Sequence, residues 1–508
     1  MADLDERLGV RHWKRIQRQR RREAQASFDA AKTTEENRAH WANADGLSAA
    51  AANSPEVRRR LRDRARYEDG NNSNAAGLAG ALADEMIGTG PRLQLTLPET
   101  DPDFGTPLPP EISREIECRW QEWCDAAMLA DKLHTGTRSE IVTGEVFDFL
   151  FVNPGLPDPV QLDLRLYEGD QIATPDLSPA AVNAVDGIEF DQHGNPTYYH
   201  VLKQHPGDVS LMWMPASAYD RIPARQMVHL FKRTRPGQAR GIPELTASLP
   251  TYAILRRWTL ACLYSAEAQA RITGVIEQEN QLPGTQDEEE EELADGAGEQ
   301  IQFAGAHMLT LTAGQTAKTL AHSSPPQNYR EFKLENLTDG GRPLGAPRNV
   351  STGSSSEYNY ASARLDQQQW QRAIRLRRRR LERLLLNKLF REWATMALLI
   401  NGHLPNGVPD LSKWRWQWRW DGFVSIDPAK DAKAATERLL NGTSNLDREC
   451  GELGDDWEEV QDQRLREEAR EIRRRQELGL PPRESSSQPT PQRGSQKPAP
   501  PPQEYEDA

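Results

Sequence analysis

The sequence comprises 508 residues, with a formal net charge of −13, 37% hydrophobic residues and a mean hydropathy of −0.76. This length suffices for several cores or one large elongated subunit, and the polar composition indicates surface that is exposed, disordered or buried between copies. So acidic a chain does not coat nucleic acid through its overall charge, because neutralising phosphates requires clustered lysine and arginine. It could still let DNA pass without holding it.

The four cysteines, Cys118, Cys124, Cys262 and Cys450, are scattered and form no CxxC pair. Neither a zinc site nor a disulfide framework is therefore indicated. No apolar run approaches transmembrane length, and the N-terminus lacks the apolar core of a secretory signal. We expect a soluble protein that is made in the cytoplasm and has no contact with a membrane.

The N-terminal 86 residues are predicted to be largely helical. One helix covers residues 3 to about 41, where the basic run from Arg11 to Arg22 favours a solvated helix face over a site for nucleic acid or an acidic partner. A second helical block covers residues 55–86 and is interrupted by the sequence DGNN at 69–72.

Residues 86–240 combine helix and strand patterns. Alternating leucines at 93–97 and 162–166 predict short strands, and the apolar spacing across 111–124 predicts an amphipathic helix. The sequence HGNP at 193–196 predicts the turn of a hairpin. This region is therefore expected to be mixed α/β with short antiparallel strands.

The next part of the chain is predicted to be an elongated arm. Residues 249–276 have the pattern of one helix, followed by an acidic segment, short strands near 301–320 and a second helix after Pro326. A polar loop, TGSSSEYNY, then precedes a long helix at 359–400. Such an arm exposes much of its surface and needs neighbours to cover it.

The long helix carries one apolar stripe, formed by Trp370, Ile374, Leu381, Leu385, Leu389 and Trp393. We expect the stripe to be core and the surrounding arginines to pair with acidic residues of an adjacent subunit, although some could face DNA. The tryptophans at 414, 416, 418 and 420 would share one face of a strand. A half-buried strand is favoured there over a platform for stacking single-stranded bases.

No catalytic motif has the context that its chemistry requires. The sequences GxxxxGK[ST], GxSxG and HExxH are absent, and His200 and His205 are spaced unlike metal ligands on one strand face. The run Asp287–Glu292 fits a solvated acidic loop better than a cation site, because it lacks spaced ligands and the glycine of a calcium loop. We expect no catalytic residue, no metal and no cofactor.

Several segments, in order, resemble the lambda-type family of tailed-phage portal proteins. They include RRRLRDRARYEDGNNSNAAG, IGTGPRLQL, WQEWCD, QMVHLFKRTRPGQARGIPEL and PLGAPRNVSTGSSSEYNYASAR, and the resemblance extends from about Phe28 to Leu480. It implies an α+β fold, namely a portal-type subunit with a mixed α/β wing, a two-helix stem, a small β clip, a long kinked helix and a helical crown.

The resemblance also implies a division of the chain into functional parts. The expected parts are an N-terminal helical arm (1–85), the wing (86–248), a first stem helix (249–276), the clip with its acidic loop (277–325), a second stem helix (326–344), a tunnel loop (345–358), the long helix (359–400), a wing return strand (401–426), crown helices (427–480) and a disordered tail (481–508).

Within these parts, the resemblance assigns a DNA-channel loop and a docking site. The channel loop would comprise Arg348, Asn349, Ser351, Thr352, Gly353, Ser354, Ser355 and Ser356, with Tyr358 and Tyr360 as anchors. The docking site for partners would be the clip residues Asp287, Glu288, Glu289, Glu290, Glu291 and Glu292. Small hydroxyls and Gly353 would give a mobile, uncharged surface, with Arg348 as the one nearby charge able to touch phosphate.

The implied function is a ring, a homododecamer in this family, at one capsid vertex of the virion. The ring would be the channel for genome packaging and ejection and would contact double-stranded DNA, the major capsid protein or scaffold, the large terminase subunit and a head-tail connector. It would assemble in the cytoplasm of the host bacterium. The alternatives are another head-tail connector or minor capsid protein and, from a different class, a nucleic-acid-processing enzyme.

Overall fold

The computed structural model describes residues 44–98, 111–175, 184–208, 218–276, 300–303, 306–310, 328–356, 358–423 and 427–481, together with the isolated residues 15, 39, 42, 100, 109 and 425. For residues 268–310 only the backbone is described. The predicted helix at 3–41, the acidic run Asp287–Glu292 and the tail after residue 481 lie outside these ranges.

Five helices and the first strand form the N-terminal part of the described chain. They are α1 (Ala49–Ala52), α2 (Pro55–Asn71), α3 (Ser73–Ile87), β1 (Arg92–Thr96), α4 (Glu111–Ala126) and α5 (Leu129–Thr143). The predicted break at DGNN is confirmed, because α2 ends at Asn71 and Asn72 begins α3 by accepting a hydrogen bond from the backbone N–H of Asn74 at 3.1 Å.

Two antiparallel sheets follow α5. The strands are β2 (Glu145–Val152), β3 (Leu162–Glu168), β4 (Ala184–Val185), β5 (Ile188–Phe190), β6 (Pro196–Leu202), β7 (Tyr219–Pro223) and β8 (Met227–Phe231). One sheet has the order β3-β2-β8 and the other β4-β5-β6-β7. The predicted hairpin is confirmed as β5 and β6, and the mixed α/β character of this region is confirmed with it.

A pair of helices with a small sheet at its end forms the next part. The elements are α6 (Leu249–Arg271), β9 (Ile272–Ile276), β10 (Gln300–Phe303), β11 (Ala306–Thr310) and α7 (Tyr329–Gly341). The expected single helix over 249–276 was too long, since β9 begins at Ile272 and pairs in parallel with β11. The strand order is β10-β11-β9.

The C-terminal part is mainly helical. It consists of α8 (Arg348–Thr352), α9 (Tyr360–Leu381), a π turn (Glu382–Leu386), α10 (Asn387–Leu399), β12 (Arg415–Arg419), α11 (Pro428–Leu440), α12 (Leu446–Leu453) and α13 (Trp457–Glu477). The long helix predicted at 359–400 is present but interrupted by the π turn, a feature that locally changes the helical register. Two late helices were expected, and α12 is a third between them.

The core is built around the predicted apolar stripe of the long helix. All six stripe residues are buried, and Trp393 packs edge-on against Trp120 of α4 with ring centroids 5.3 Å apart. The tryptophan strand is confirmed as β12, which pairs antiparallel with β1. Trp414, Trp418 and Trp420 are buried and Trp416 is half-buried, so these indoles cannot serve as an open base-stacking platform.

A buried ionic cluster joins α2 to the two antiparallel sheets. Glu145 is fully buried and accepts hydrogen bonds from Arg240 at 2.8–3.1 Å, His229 at 2.9 Å and Arg62 at 3.3 Å. Burial would raise the pKa of Glu145, but Arg240 and His229 outweigh it and hold that pKa well below its usual range. The carboxylate therefore stays ionised, and removing a partner would leave a buried charge uncompensated.

The arginines of the long helix bind groups of their own chain. Arg377 forms a bidentate ion pair with Glu244 at 2.7 and 2.8 Å, and Arg380 pairs with Glu140. The guanidinium of Arg378 donates to the backbone carbonyls of Met86, Glu85 and Asp421 at 2.9–3.0 Å. The expected pairing with an adjacent subunit is thus wrong for these three arginines, because carboxylates and carbonyls within the subunit already engage them.

Candidate functional site

The segment between α7 and α9 is the candidate site, and two glycines set its course. A 3₁₀ turn at Arg342–Leu344 follows α7, and Gly345 with φ 75° directs the chain into α8. Gly353 with φ 65° ends α8, since this left-handed conformation is easily reached only by glycine. The loop between Gly353 and α9 is therefore short and fixed at both ends.

Residues Arg348–Thr352 form α8 and not the first half of a loop. Pro347 precedes the helix in an extended conformation, and the hydroxyl of Thr352 donates to the carbonyl of Arg348 at 2.8 Å. The predicted tunnel loop at 345–358 is thus too long. Helix α8 spans five residues and contains one apolar side chain, so the sequence has no apolar periodicity that would predict it.

Three of the predicted loop residues are held against the protein. Ser351 is buried and donates to the carbonyl of Ala346 at 3.3 Å. The backbone N–H of Asn349 donates to the hydroxyl of Tyr358 at 3.2 Å, and Thr352 is half-buried with its hydroxyl bonded inside α8. Ser351 and Thr352 thus do not form the mobile hydroxyl surface expected of them, because the hydroxyl of each is bonded to a nearby backbone carbonyl, and Asn349 is held through its backbone N–H.

The open part of the segment comprises Gly353, Ser355 and Ser356, with Ser354 half-buried. The hydroxyls of Ser354 and Ser356 lie 2.8 Å apart and share a hydrogen bond, and Arg330 of α7 donates to the Ser356 hydroxyl at 3.0 Å. The exposed groups of residues 353–356 themselves are therefore neutral hydroxyls and backbone, with the Arg330 guanidinium against Ser356.

Tyr358 has the contacts expected of an anchor. Its hydroxyl accepts a hydrogen bond from the Asn349 N–H at 3.2 Å and donates one to the carboxylate of Asp366 in α9. Burial, together with the hydrogen bond to Asp366, raises the pKa of Tyr358. The ring thus joins the start of α8 to the first turns of α9, and the loop is tied at its exit.

Tyr360 makes its contacts elsewhere. It is 45% exposed in the first turn of α9, its hydroxyl lies 3.4 Å from Arg364, and the ammonium of Lys430 in α11 lies 5.0 Å from its ring centroid. The start of α9 is instead fixed by a capping box, in which Asn359 accepts from the Ser362 N–H at 2.8 Å. Of the two predicted anchors, only Tyr358 therefore contacts the loop segment.

The loop has more charged neighbours than Arg348, the one arginine that the sequence predicts near it. Arg348 lies 3.6 Å from Glu335 of α7, so a carboxylate already faces its guanidinium. Arg330, in the first turn of α7, also contacts the loop through the Ser356 hydroxyl. Arg330 could not be predicted as a neighbour of the loop, because its contact with Ser356 spans 26 positions and depends on where α7 begins relative to the loop.

The described residues include one group that could resemble a metal site, formed by Glu168, Asp170 and His205. Arg66 forms ion pairs with Glu168 and with Asp170, so its guanidinium already neutralises the negative charge of this group. His200, the other histidine considered, pairs with Glu189 at 2.7 Å. None of the described helices is both long and apolar enough to cross a membrane.

Comparisons with known proteins identify a family and several relatives. The family model described as phage portal protein, lambda family, matches residues 35–378. The chain is 25% identical over 311 residues to the probable portal protein of Halomonas phage phiHAP-1, covering 58% of this chain and 56% of that protein. It is 21% identical over 396 residues to portal protein B of Escherichia phage lambda, covering 70% of this chain and 73% of that one.

Solved structures that match the chain come from gene transfer agent particles. A chain of the structure titled "Virion of native gene transfer agent (GTA) particle" is matched over 85% of this chain and 95% of its own length, with 14% identity and a TM-score of 0.36. A chain of the neck of the empty particle, computed with C6 symmetry, gives a TM-score of 0.38 at the same identity and coverage.

The family match covers well over half of the chain and includes the segments RRRLRDRARYEDGNN and PLGAPRNVSTGSSSEY, which form α2 and the candidate site. The two relatives, from Halomonas phage phiHAP-1 and Escherichia phage lambda, are also described as portal proteins. The family is a structural one and not a family of enzymes, as the missing catalytic motifs predict. The chain belongs to the lambda family of phage portal proteins.

Proposed function

We propose that this protein forms a ring at one capsid vertex and is the channel through which the genome is packaged and later ejected. The observation that supports this most directly is the family match over residues 35–378. The chain spans only 56% of the length of the Halomonas phage relative, so the activity of the whole relative is carried over as part of the proposal.

Exposed apolar side chains on α6 support assembly into a ring. Ile254, Leu263 and Tyr264 are 67%, 59% and 67% exposed in the single subunit. A helix that leaves such residues in water gains free energy when a neighbouring copy covers them. In a closed ring the covered surface repeats around the axis, and no apolar face remains open.

The loop at residues 353–356 is proposed to line the channel. Its own exposed groups are neutral, Arg348 faces Glu335, and the guanidinium that touches the loop, that of Arg330, donates to the Ser356 hydroxyl. Affinity for DNA grows with each phosphate that a protein neutralises, so a neutral loop lets the duplex move past. Anchoring by Tyr358 keeps the loop at a constant position relative to α9.

The acidic run Asp287–Glu292, which falls between β9 and β10 in the sequence, is proposed to dock the large terminase subunit and later a head-tail connector. A dense negative charge would set the rate and register of docking with basic partners. A minor capsid or connector protein without a channel is the alternative within the same structural class.

Electron microscopy of the purified protein in negative stain tests the proposal. We expect rings with a central channel, and particles assembled with them should carry one ring at a single vertex. A protein that stays monomeric at all concentrations, or that decorates many sites on the capsid, would show that the chain has another structural role.

A further inference from the structure

A groove runs between the hairpin β5–β6, strand β8 and the π turn of the long helix. Its volume is about 820 Å³. The apolar lining comes from both sheets and from the long helix, and includes Val185, Phe190, Met227, Phe231 and Leu384. Phe190, Val185 and Leu384 are only half-buried, so the groove presents apolar surface large enough for an aromatic side chain.

Three cations surround this apolar surface. Arg233 and Arg235 are exposed at one rim, and Lys388 lies at the other with its ammonium donating to the carbonyls of Met227 at 3.1 Å and Ala224 at 3.4 Å. No carboxylate among the described residues forms an ion pair with any of the three. The groove therefore fits an occupant that combines an aromatic anchor with acidic side chains.

The first continuous stretch that the structure describes, which begins at residue 44, contacts this rim. The carbonyl of Leu47 accepts a hydrogen bond from Arg235 at 2.9 Å. The following residues are fixed nearby, because the Asn53 side chain donates to the carbonyl of Arg240 at 3.0 Å and Arg58 donates to the carbonyl of Asn53 at 2.7 Å. The segment that precedes residue 44 therefore starts beside the groove.

We propose that residues 27–43 dock in the groove of their own chain, with Trp41 on the apolar floor and Glu35 and Glu36 toward Arg233 and Arg235. Of this segment the structure describes only Ala39 and Ala42, both exposed. Trp41 is six residues from Leu47, a span of at most about 20 Å, which keeps it within reach of the groove whose rim Leu47 contacts. The same chain is favoured over a second copy, because a short tether gives an effective concentration of about millimolar.

A photo-crosslinking residue, p-benzoylphenylalanine, placed at position 41 of the full-length protein tests this proposal. After irradiation we expect crosslinks to groove residues such as Met227 or Phe190, located by mass spectrometry, in a product that migrates as a single chain. A dimer-sized product, crosslinks outside the groove, or no yield above that of an unirradiated sample would each overturn it. The same residue at Val152, which is exposed on β2 and does not line the groove, is the positional control.

Charge reversal at the rim gives a second measurement that keeps the apolar floor intact. Arg233→Glu and Arg235→Glu should each lower the crosslinking yield from position 41 about fivefold, the loss expected for one exposed ion pair. Lys413→Glu, an exposed cation outside the groove, is the matched control and should leave the yield unchanged. Equal yields in all three variants, with unchanged circular dichroism, would contradict docking through Glu35 and Glu36. The proposal does not depend on the proposed channel function.

Discussion

Gly341 and Ser351 are in close contact where α7 passes α8. A Cβ added at Gly341 would lie 1.9 Å from the Ser351 hydroxyl oxygen and 2.8 Å from its Cβ. Gly341→Ala should therefore lower the free energy of unfolding by about 1–3 kcal/mol, as overpacking does in other cores. Denaturant unfolding measures this. Gly77→Ala in α3, where nothing lies within 4 Å, is the control and should be neutral or stabilising.

Asp148 is a buried carboxyl group on β2. Burial, with Glu140 as a second cause, raises its pKa to about 8. The folded protein thus holds a proton that the unfolded chain releases near pH 4, so stability falls as the pH rises from about 4 to about 8. Asp148→Asn removes this dependence and should be more stabilising, relative to wild type, at pH 8.5 than at pH 5.

Denaturant unfolding at the two pH values tests the Asp148 prediction, with Asp208→Asn as the control at an exposed carboxylate. A difference between the Asp148→Asn variant and wild type that stays the same at both pH values would show that Asp148 is ionised in the folded protein.

At the scale of elements, Arg378 joins the long helix to the end of α3. Its guanidinium donates to the backbone carbonyls of Glu85 and Met86 in the last turn of α3 and to the backbone carbonyl of Asp421. A cation at the C-terminal end of α3 also interacts favourably with the helix dipole. Arg378→Ala should cost about 2–4 kcal/mol of unfolding free energy, because buried carbonyls lose their donors.

Arg378→Lys should recover little of that loss, since one ammonium cannot replace three diverging N–H groups. Arg372→Ala changes an exposed arginine of the same helix and should change stability by less than about 0.5 kcal/mol. Equal unfolding midpoints for the variants at 378 and 372 would contradict this role.

The short loop at 353–356 is the element on which the channel proposal can be tested. Ser355→Lys adds one cation per subunit, and a ring repeats it around the duplex. We expect intact rings but about tenfold less DNA packaged at low salt, with recovery as salt is raised, because attraction to phosphate is screened. Nuclease-protected DNA in a packaging assay measures this, and Ser355→Thr is the neutral control.

Elements with a clear period were predictable from the sequence, and those without one were not. The apolar stripe through Trp370 and Trp393 and the alternating tryptophans at 414–420 each have one period over many residues, and both are observed as predicted. Helix α8 spans a single turn between two glycines, and the π turn occurs within an unbroken apolar pattern. The sequence of α8 therefore looks like that of a loop, and the sequence of the π turn looks like that of a continuous α-helix.

At the scale of the whole molecule, the exposed apolar side chains of α6 should decide the oligomeric state. Leu263→Asp places a charge where the proposed ring buries a leucine, so we expect smaller assemblies or monomers with the same melting temperature for the subunit. Light scattering after size-exclusion chromatography measures the mass. Val152→Asp, at a similarly exposed position of β2, is the control, and an unchanged ring for Leu263→Asp would place the interface elsewhere.

Contacts between distant parts of the chain leave no signal in the sequence. Glu145 and Arg240 are 95 positions apart, and nothing in the sequence around either residue indicates the other. The arginines of the long helix were expected to reach a neighbouring subunit for the same reason, because their carboxylate and carbonyl partners come from segments far away in sequence. Such pairs can be predicted only once the packing of the strands and helices is known.

The pairing of β1 with β12 has a consequence for how the protein is made. Gln94 and Arg419, which form a hydrogen bond across these strands, are 325 positions apart. A ribosome adds about 5–20 residues per second, so β1 waits about 15–65 s for its partner. During that time Leu93 and Leu95 lie on an unpaired strand edge, and neighbouring nascent copies on one polysome carry the same edge. Correct biosynthesis therefore depends on keeping this strand from pairing between copies until residue 419 has emerged.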